Sequence, residues 1–244
     1  MALVRRPFAC ARYAIAGFVL LTLASMSLYP GGTYRDRNSV GYLFFSNFLS
    51  DLGMPRSWGG HANPWGALLF VSGEVLLAIG VVAFFVGVVR LSSSVRPARI
   101  GGRLAALARI TVALALVAAG FTPANRFLSL HVEAALLAFR GAAVAAAFLA
   151  VATAQDRRFP RLTMAVAVVT AVVLAGYATV IQWRPRINDD NGLRFQATAQ
   201  RIMFVVSMAG IAYLSLVAER LSSETPSSPQ MGRTSSLTKN RLIP

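Results

Sequence analysis

Six stretches of the chain, approximately residues 11–29, 65–89, 104–121, 130–152, 162–181 and 199–217, are apolar almost throughout, and polar positions gather between them. About 20 helical residues rise far enough to cross a hydrocarbon core roughly 30 Å thick. The runs show no alternation of period two, so they read as helices rather than barrel strands, and a helix satisfies its own backbone in lipid. The pattern predicts an all-α protein, a polytopic six-helix transmembrane bundle over residues 1–221. Arg5 and Arg6 precede the first run as in a signal peptide, but the run is long for one and Tyr29-Pro30 follows directly, which points to a retained helix. No internal repeat stands out, so an inverted-repeat transporter gains no support.

The first connection is longer than any other, about 35 residues, and long ordered loops carry function disproportionately. Within it Phe44, Phe45, Phe48, Leu49 and Leu52 recur at helical spacing, while Ser46, Asn47, Ser50 and Asp51 fall on the opposite face. That spacing predicts a short amphipathic helix lying at the outer interface, capped by Ser39 and ended by Gly53 and Pro55.

Composition agrees: 56% of the 244 residues are hydrophobic and 14% are charged, too apolar for a soluble domain of this size. A net charge of +15 in a soluble chain would suggest a nucleic-acid partner. Here the arginines sit mainly in loops and tails, so none is expected. Fourteen Lys and Arg flank one side of the predicted spans and seven the other, which places both termini in the cytoplasm and the first loop outside a plasma or inner membrane. Residues 222–244, rich in Ser, Thr and Pro, read as a disordered cytoplasmic tail. The single cysteine, Cys10, forbids an intrachain disulfide and a thiolate metal cluster.

Asp51 is the most informative polar residue. In the last turn of the predicted helix its charge would oppose the helix dipole, so something else should hold it. A pair with Arg56, a hydrogen bond from Ser50 or Asn47, and a role as base or cation ligand all remain open. Ser50 is a nucleophile candidate, although no G-x-S-x-G surrounds it and a helix-surface serine bonding its own backbone is the plainer reading. The two histidines, His61 and His131, both fall on the predicted outer side. With Asp51 they form a conceivable catalytic or metal set, against the commoner role of hydrogen bonding at a span end. Asn63 and Asn125 read first as capping and turn residues, with Asn125 also a candidate binding residue, and Trp58, Trp65 and Trp183 read as an interfacial belt.

Inside the spans, Glu74 and Arg140 lie at matching depth, which predicts a buried Glu74–Arg140 pair, structural or on a proton or substrate path. His131 is nine residues from Arg140, on the opposite side of the same helix, so His131 and the Glu133/Arg140 stripe should not line one cavity.

"NFLSDLG" (residues 47–53), "NPWGALLF" at the start of the second span and "TPANRFLSLHVEAALLAF" leading through the fourth resemble the bacterial membrane family of domain of unknown function 998. The resemblance covers the six spans and omits the tail. It implies a six-helix integral membrane protein without an established activity. More remotely the chain is similar to the Frag/DRAM/Sfk membrane family, whose members have been linked to lipid and membrane organisation, an analogy that assigns no catalytic residue.

These observations lead to a membrane protein that binds a lipid headgroup or small polar ligand in an outward pocket built from Asn47, Asp51, His61, Asn125 and His131. No cofactor is expected, and membrane lipid is the expected partner. The rivals are a membrane-embedded lipid hydrolase using Ser50, Asp51 and His131, with or without a metal on Asp51, His61 and His131, and a small transporter using Glu74 and Arg140.

Overall fold

The structure, a computed structural model, describes residues 2–91, 110–183, 187 and 189–224. Among the described residues six α-helices follow in order: α1 (Ala2–Leu28), α2 (Pro64–Leu91), α3 (Ile110–Phe121), α4 (Leu128–Gln155), α5 (Arg161–Trp183) and α6 (Asp190–Glu224). Two isolated bridges occur in the first loop, and there is no strand among the described residues. All helices except α3 are long and apolar enough to cross a membrane, and the chain is a polytopic helical membrane protein. For α3 the described part is shorter, because residues 104–109 of the expected third span lie outside the described residues, as do residues 225–244 of the expected tail.

Helix limits exceed the apolar runs at both ends of the chain. α1 begins at Ala2 and carries Arg12, which pairs with Glu219 of α6 at 2.8 Å. α6 begins at Asp190, ahead of its apolar run, so the polar stretch "RFQATAQR" is helical. The Arg12–Glu219 pair also puts the start of α1 and the end of α6 at one end of the bundle, opposite the first loop.

The closest helix pair is α1 with α2, and its cause is visible in α2. Gly66, Gly73, Gly80 and Gly87 recur every seventh residue and so share one face. α1 lies against that stripe: a Cβ on Gly80 would sit 2.5 Å from the Cβ of Ala14, and one on Gly87 2.7 Å from the Phe8 ring. Small residues let backbones approach closely where lipid supplies no hydrophobic drive between helices. Ser25 Oγ completes the contact by donating to the Gly66 carbonyl at 2.8 Å.

α4 and α5 form a second hairpin. At its turn the Arg158 guanidinium beside Asp156 holds that carboxyl below the usual range, and Arg158 also donates to the Leu91 carbonyl at the end of α2. α6 joins the two hairpins, and the rings of Phe18, Phe139 and Phe204 meet in the centre, with Phe18 and Phe204 stacked at 5.8 Å.

Candidate functional site

The first loop is a folded cap rather than a surface helix. Residues 44–46 form a turn, and the regular piece is a 3-10 helix, Leu49–Gly53, in which Leu49, Asp51, Leu52 and Gly53 are buried. The expected amphipathic α-helix from Ser39 is thus corrected to a short 3-10 helix. Ser39 instead donates to the Asp36 carbonyl, and the expected polar face is split. Asn47 and Asp51 point inward and are fully buried, while Phe44 and Phe45 are exposed. Buried hydrogen-bonding groups need partners, and here the loop's own backbone supplies them. Asn47 Nδ2 donates to the Gly32 carbonyl and to Asp51 Oδ2, and its Oδ1 accepts from the Leu43 N–H. Gly32 sits at positive φ, and a Cβ there would fall 2.0 Å from the Gly59 nitrogen, so only glycine allows the two arms of the loop to meet.

Asp51 is the hub of this cap. Its Oδ2 accepts from Asn47 and from the Phe48 N–H at 2.9 Å, and its Oδ1 accepts from the Trp58 indole at 2.9 Å. It is the third residue of the 3-10 helix and reaches back to the N–H that precedes it, so its charge stands at the favourable end of the turn. Burial outweighs these donors and raises its pKa from 3.8 to about 6. Burial first, and then the Asp51 charge, also push the Tyr29 phenol well above its ordinary value. Arg56 is not the partner of Asp51: it donates to the Gly60 carbonyl. Trp58, expected in an interfacial belt, holds Asp51 with its indole while Arg37 lies 4.4 Å above its ring.

Beneath the 3-10 helix, between α4, α5 and α6, lies a cavity of about 120 Å³. Its polar wall is built by Ser50, Asp51, Trp58, His131, Gln196 and Gln200, and Tyr34, Tyr177, Val132, Ile181 and Phe139 complete it. The structure thus brings Ser50, Asp51 and His131 to one cavity, as the sequence suggested. His131 Nδ1 lies 3.1 and 2.9 Å from the carbonyls of Ala119 and Thr122. Carbonyls only accept, so Nδ1 carries the proton and Nε2 of the neutral ring is left as an acceptor. Gln200 Oε1 accepts from the Leu49 N–H at 2.7 Å and ties the 3-10 helix to α6.

Other candidates lie elsewhere. His61 is exposed beside Gly59 and outside the cavity wall, so the Asp51/His61/His131 set is not assembled. Among the described residues no three His, Cys, Asp or Glu side chains are grouped to hold a metal ion. Asn125 is likewise not a wall residue: its Nδ2 donates to the Arg56 carbonyl at 2.7 Å and fastens the α3–α4 turn to the loop. Asn63 binds the loop carbonyls of Leu52 and Met54 beside the start of α2.

The Glu74–Arg140 pair does not form. Arg140 is exposed and donates to Gln182 of α5. Glu74 is buried, and its Oε2 has no hydrogen-bond partner among the described residues and packs where a Cβ on Gly120 would be 2.4 Å away. The two charges differ in depth: Glu74 packs at the level of Gly120 near the end of α3 and of His131 near the start of α4, nine residues before Arg140. Glu74 instead lines a narrow cleft with Ser50, Gly120 and His131, next to the main cavity. Glu133 and Arg140 are absent from the cavity wall that contains His131, in keeping with their opposite face on α4.

Gln196, Gln200 and the buried Arg201 were not foreseen. Arg201 donates to the carbonyls of Ala197 and Asn47 and to the Tyr42 hydroxyl, and its guanidinium lies 4.5 Å from the Phe44 ring. The signal was the pair Gln196 and Gln200, which share a face once α6 is helical from Asp190, with Arg201 about 100° further round the helix.

A second cavity, about 100 Å³ and almost wholly apolar, lies deeper in the bundle among Leu77, Val81, Phe84, Leu149 and Met203. Phe139 belongs to the walls of both cavities, with Tyr177 packed against it on the polar side and Phe204 on the apolar side. One ring thus stands between a polar and an apolar chamber. No family model, curated protein or solved structure matches this chain.

Proposed function

We propose that the protein binds a membrane lipid, with its headgroup in the polar chamber under the first loop and part of its hydrocarbon in the apolar chamber below. The observation that carries this reading is the stacking of the two chambers on either side of Phe139. An amphiphile has that polarity profile, and a small polar solute would leave the lower chamber unused. In this reading residues 104–121 complete a sixth span, the termini are cytoplasmic, the loop end faces outward, and no nucleic acid is involved. It agrees with the resemblance to the domain of unknown function 998 family. Native mass spectrometry of the purified protein tests it: wild type retains about one lipid, and Ala142→Phe, which fills the apolar chamber, releases it without loss of helix content. Retention of lipid by Ala142→Phe equal to wild type would remove the lower chamber from the account.

A second reading is favoured by one observation, that Ser50 and His131 line the same cavity. A serine hydroxyl and an imidazole acceptor are the nucleophile and base of acyl transfer. The hydrogen bonds of His131 Nδ1 go to the Ala119 and Thr122 carbonyls and not to Ser50, so binding is the primary reading and hydrolysis the alternative. Labelling of wild type, but not Ser50→Ala, by a fluorophosphonate would reverse that order.

A further inference from the structure

We infer that an anionic phospholipid of the leaflet on the loop side docks in a second place, the groove between the first loop and the start of α6, with its phosphate on Arg194. This goes beyond the lipid of the two stacked chambers, whose walls share no residue with the groove. The groove measures about 610 Å³ and runs between loop residues 43–46 on one side and Arg194, Phe195 and Thr198 of α6 on the other.

Its surface is divided as an amphiphile is. Phe44, Phe45 and Phe195 are each more than half exposed, and the rings of Phe44 and Phe45 meet edge to face at 5.1 Å. The apolar run of α6 begins at residue 199, directly after Thr198, so these rings stand where the helix enters the hydrocarbon. Acyl chains laid on them remove apolar surface from water. Arg194 lies one helical turn outward of Thr198, and the hydroxyls of Ser46 and Thr198 flank the same groove. A guanidinium binds a phosphodiester through charge-assisted hydrogen bonds.

The charge around the groove favours an anion. Asp190, one turn before Arg194, is paired with Arg35 at 2.9 Å, and Asp189 accepts the Gly192 N–H at 2.7 Å. A second cation backs the groove, because the guanidinium of the buried Arg201 lies 4.5 Å from the Phe44 ring. Arg201 donates to the carbonyls of Ala197 and Asn47 and to the Tyr42 hydroxyl, none of them an acid, and its Nε has no partner among the described residues. The residues outside the described ones include no Asp or Glu, and those just before α6 include Arg184 and Arg186, so they bring no carboxylate to the groove.

The test titrates the full chain in a mild non-ionic detergent with phosphatidylglycerol or phosphatidylcholine of the same acyl chains and counts bound lipid by native mass spectrometry. Wild type should bind phosphatidylglycerol about fivefold more tightly, equivalent to about 1 kcal/mol, the effect of one arginine near an anionic surface. Arg194→Gln, a change at an exposed position, should remove that preference, and Phe45→Ala should weaken both lipids alike. Ala142→Phe, which fills the apolar chamber, should leave the preference intact, so failure of the chamber reading and failure of this one are read separately. Equal binding of the two lipids by folded wild type, an Arg194→Gln protein with the wild-type preference, or binding unchanged by Phe45→Ala overturns the inference. Displacement of phosphatidylglycerol by glycerol phosphate at the same concentration overturns the lipid as occupant, and a preference abolished by Ala142→Phe moves the acidic lipid to the chambers and overturns the groove.

Discussion

Asp51 holds a charge where burial and hydrogen bonding oppose each other, and burial wins. Its folded pKa of about 6 lies above the ordinary 3.8, so the folded state binds the proton more tightly than the unfolded chain. The resulting stability is fully present below about pH 3.8 and is lost as pH rises through about 6. Two pH units correspond to about 3 kcal/mol. Thermal unfolding in detergent should therefore show wild type losing stability between pH 4 and 6.5 relative to Asp51→Asn, whose side chain does not titrate; parallel curves would refute the assignment. Trp58 donates its indole N–H to the same carboxylate, so its fluorescence should titrate near pH 6 in wild type and stay flat in Asp51→Asn. Asp51→Ala leaves the buried Asn47 amide and the Trp58 indole without this acceptor and should cost about 2–4 kcal/mol. At this scale the sequence singled out Asp51 and one of its hydrogen-bond partners, Asn47. It missed Trp58 because a contact seven residues away across a non-helical loop has no periodic signature.

Among the elements, the α1–α2 pair owes its closeness to a glycine every seventh residue, which is legible in the sequence as spacing but not as a partner. Gly80→Val should be among the more damaging single changes, because its Cβ would overlap Ala14 by more than an ångström, with a cost of about 2–4 kcal/mol as overpacking. A thermal midpoint equal to wild type would show that α1 can shift aside. The first loop illustrates the reverse case. Apolar residues at helical spacing predicted an amphipathic α-helix, yet Asn47 and Asp51 turn inward, because Gly32, Phe48 and Trp58 offer their buried polar atoms better partners than solvent on a helix face. Gln200→Leu removes the acceptor of the Leu49 N–H, so hydrogen exchange at Leu49–Gly53 should accelerate while the helices stay protected.

For the molecule as a whole, two hairpins bridged by α6 leave space that no single helix reveals. The polar chamber needs the loop, α4, α5 and α6 together, and the apolar one needs α2 through α6. Phe139 is where the two are divided, so Phe139→Ala should join them and loosen selection by headgroup more than overall lipid retention. Loss of all bound lipid in a folded Phe139→Ala protein would show that the ring is itself a contact rather than a divider.

The sequence by itself determined the class and the five long helices, with their limits to within about two and a half turns, because runs long enough to cross a bilayer are a one-dimensional property. It also brought Ser50, Asp51 and His131 into one short set of candidates. Only the tertiary structure decided which way each helix is turned. Rotation and offset of the helices set Glu74 beside His131 rather than Arg140 and place Gln196 and Gln200 on the chamber wall, while the path of the first loop leaves His61 outside. Rotation follows from packing against neighbours distant in the chain, which no local spacing records.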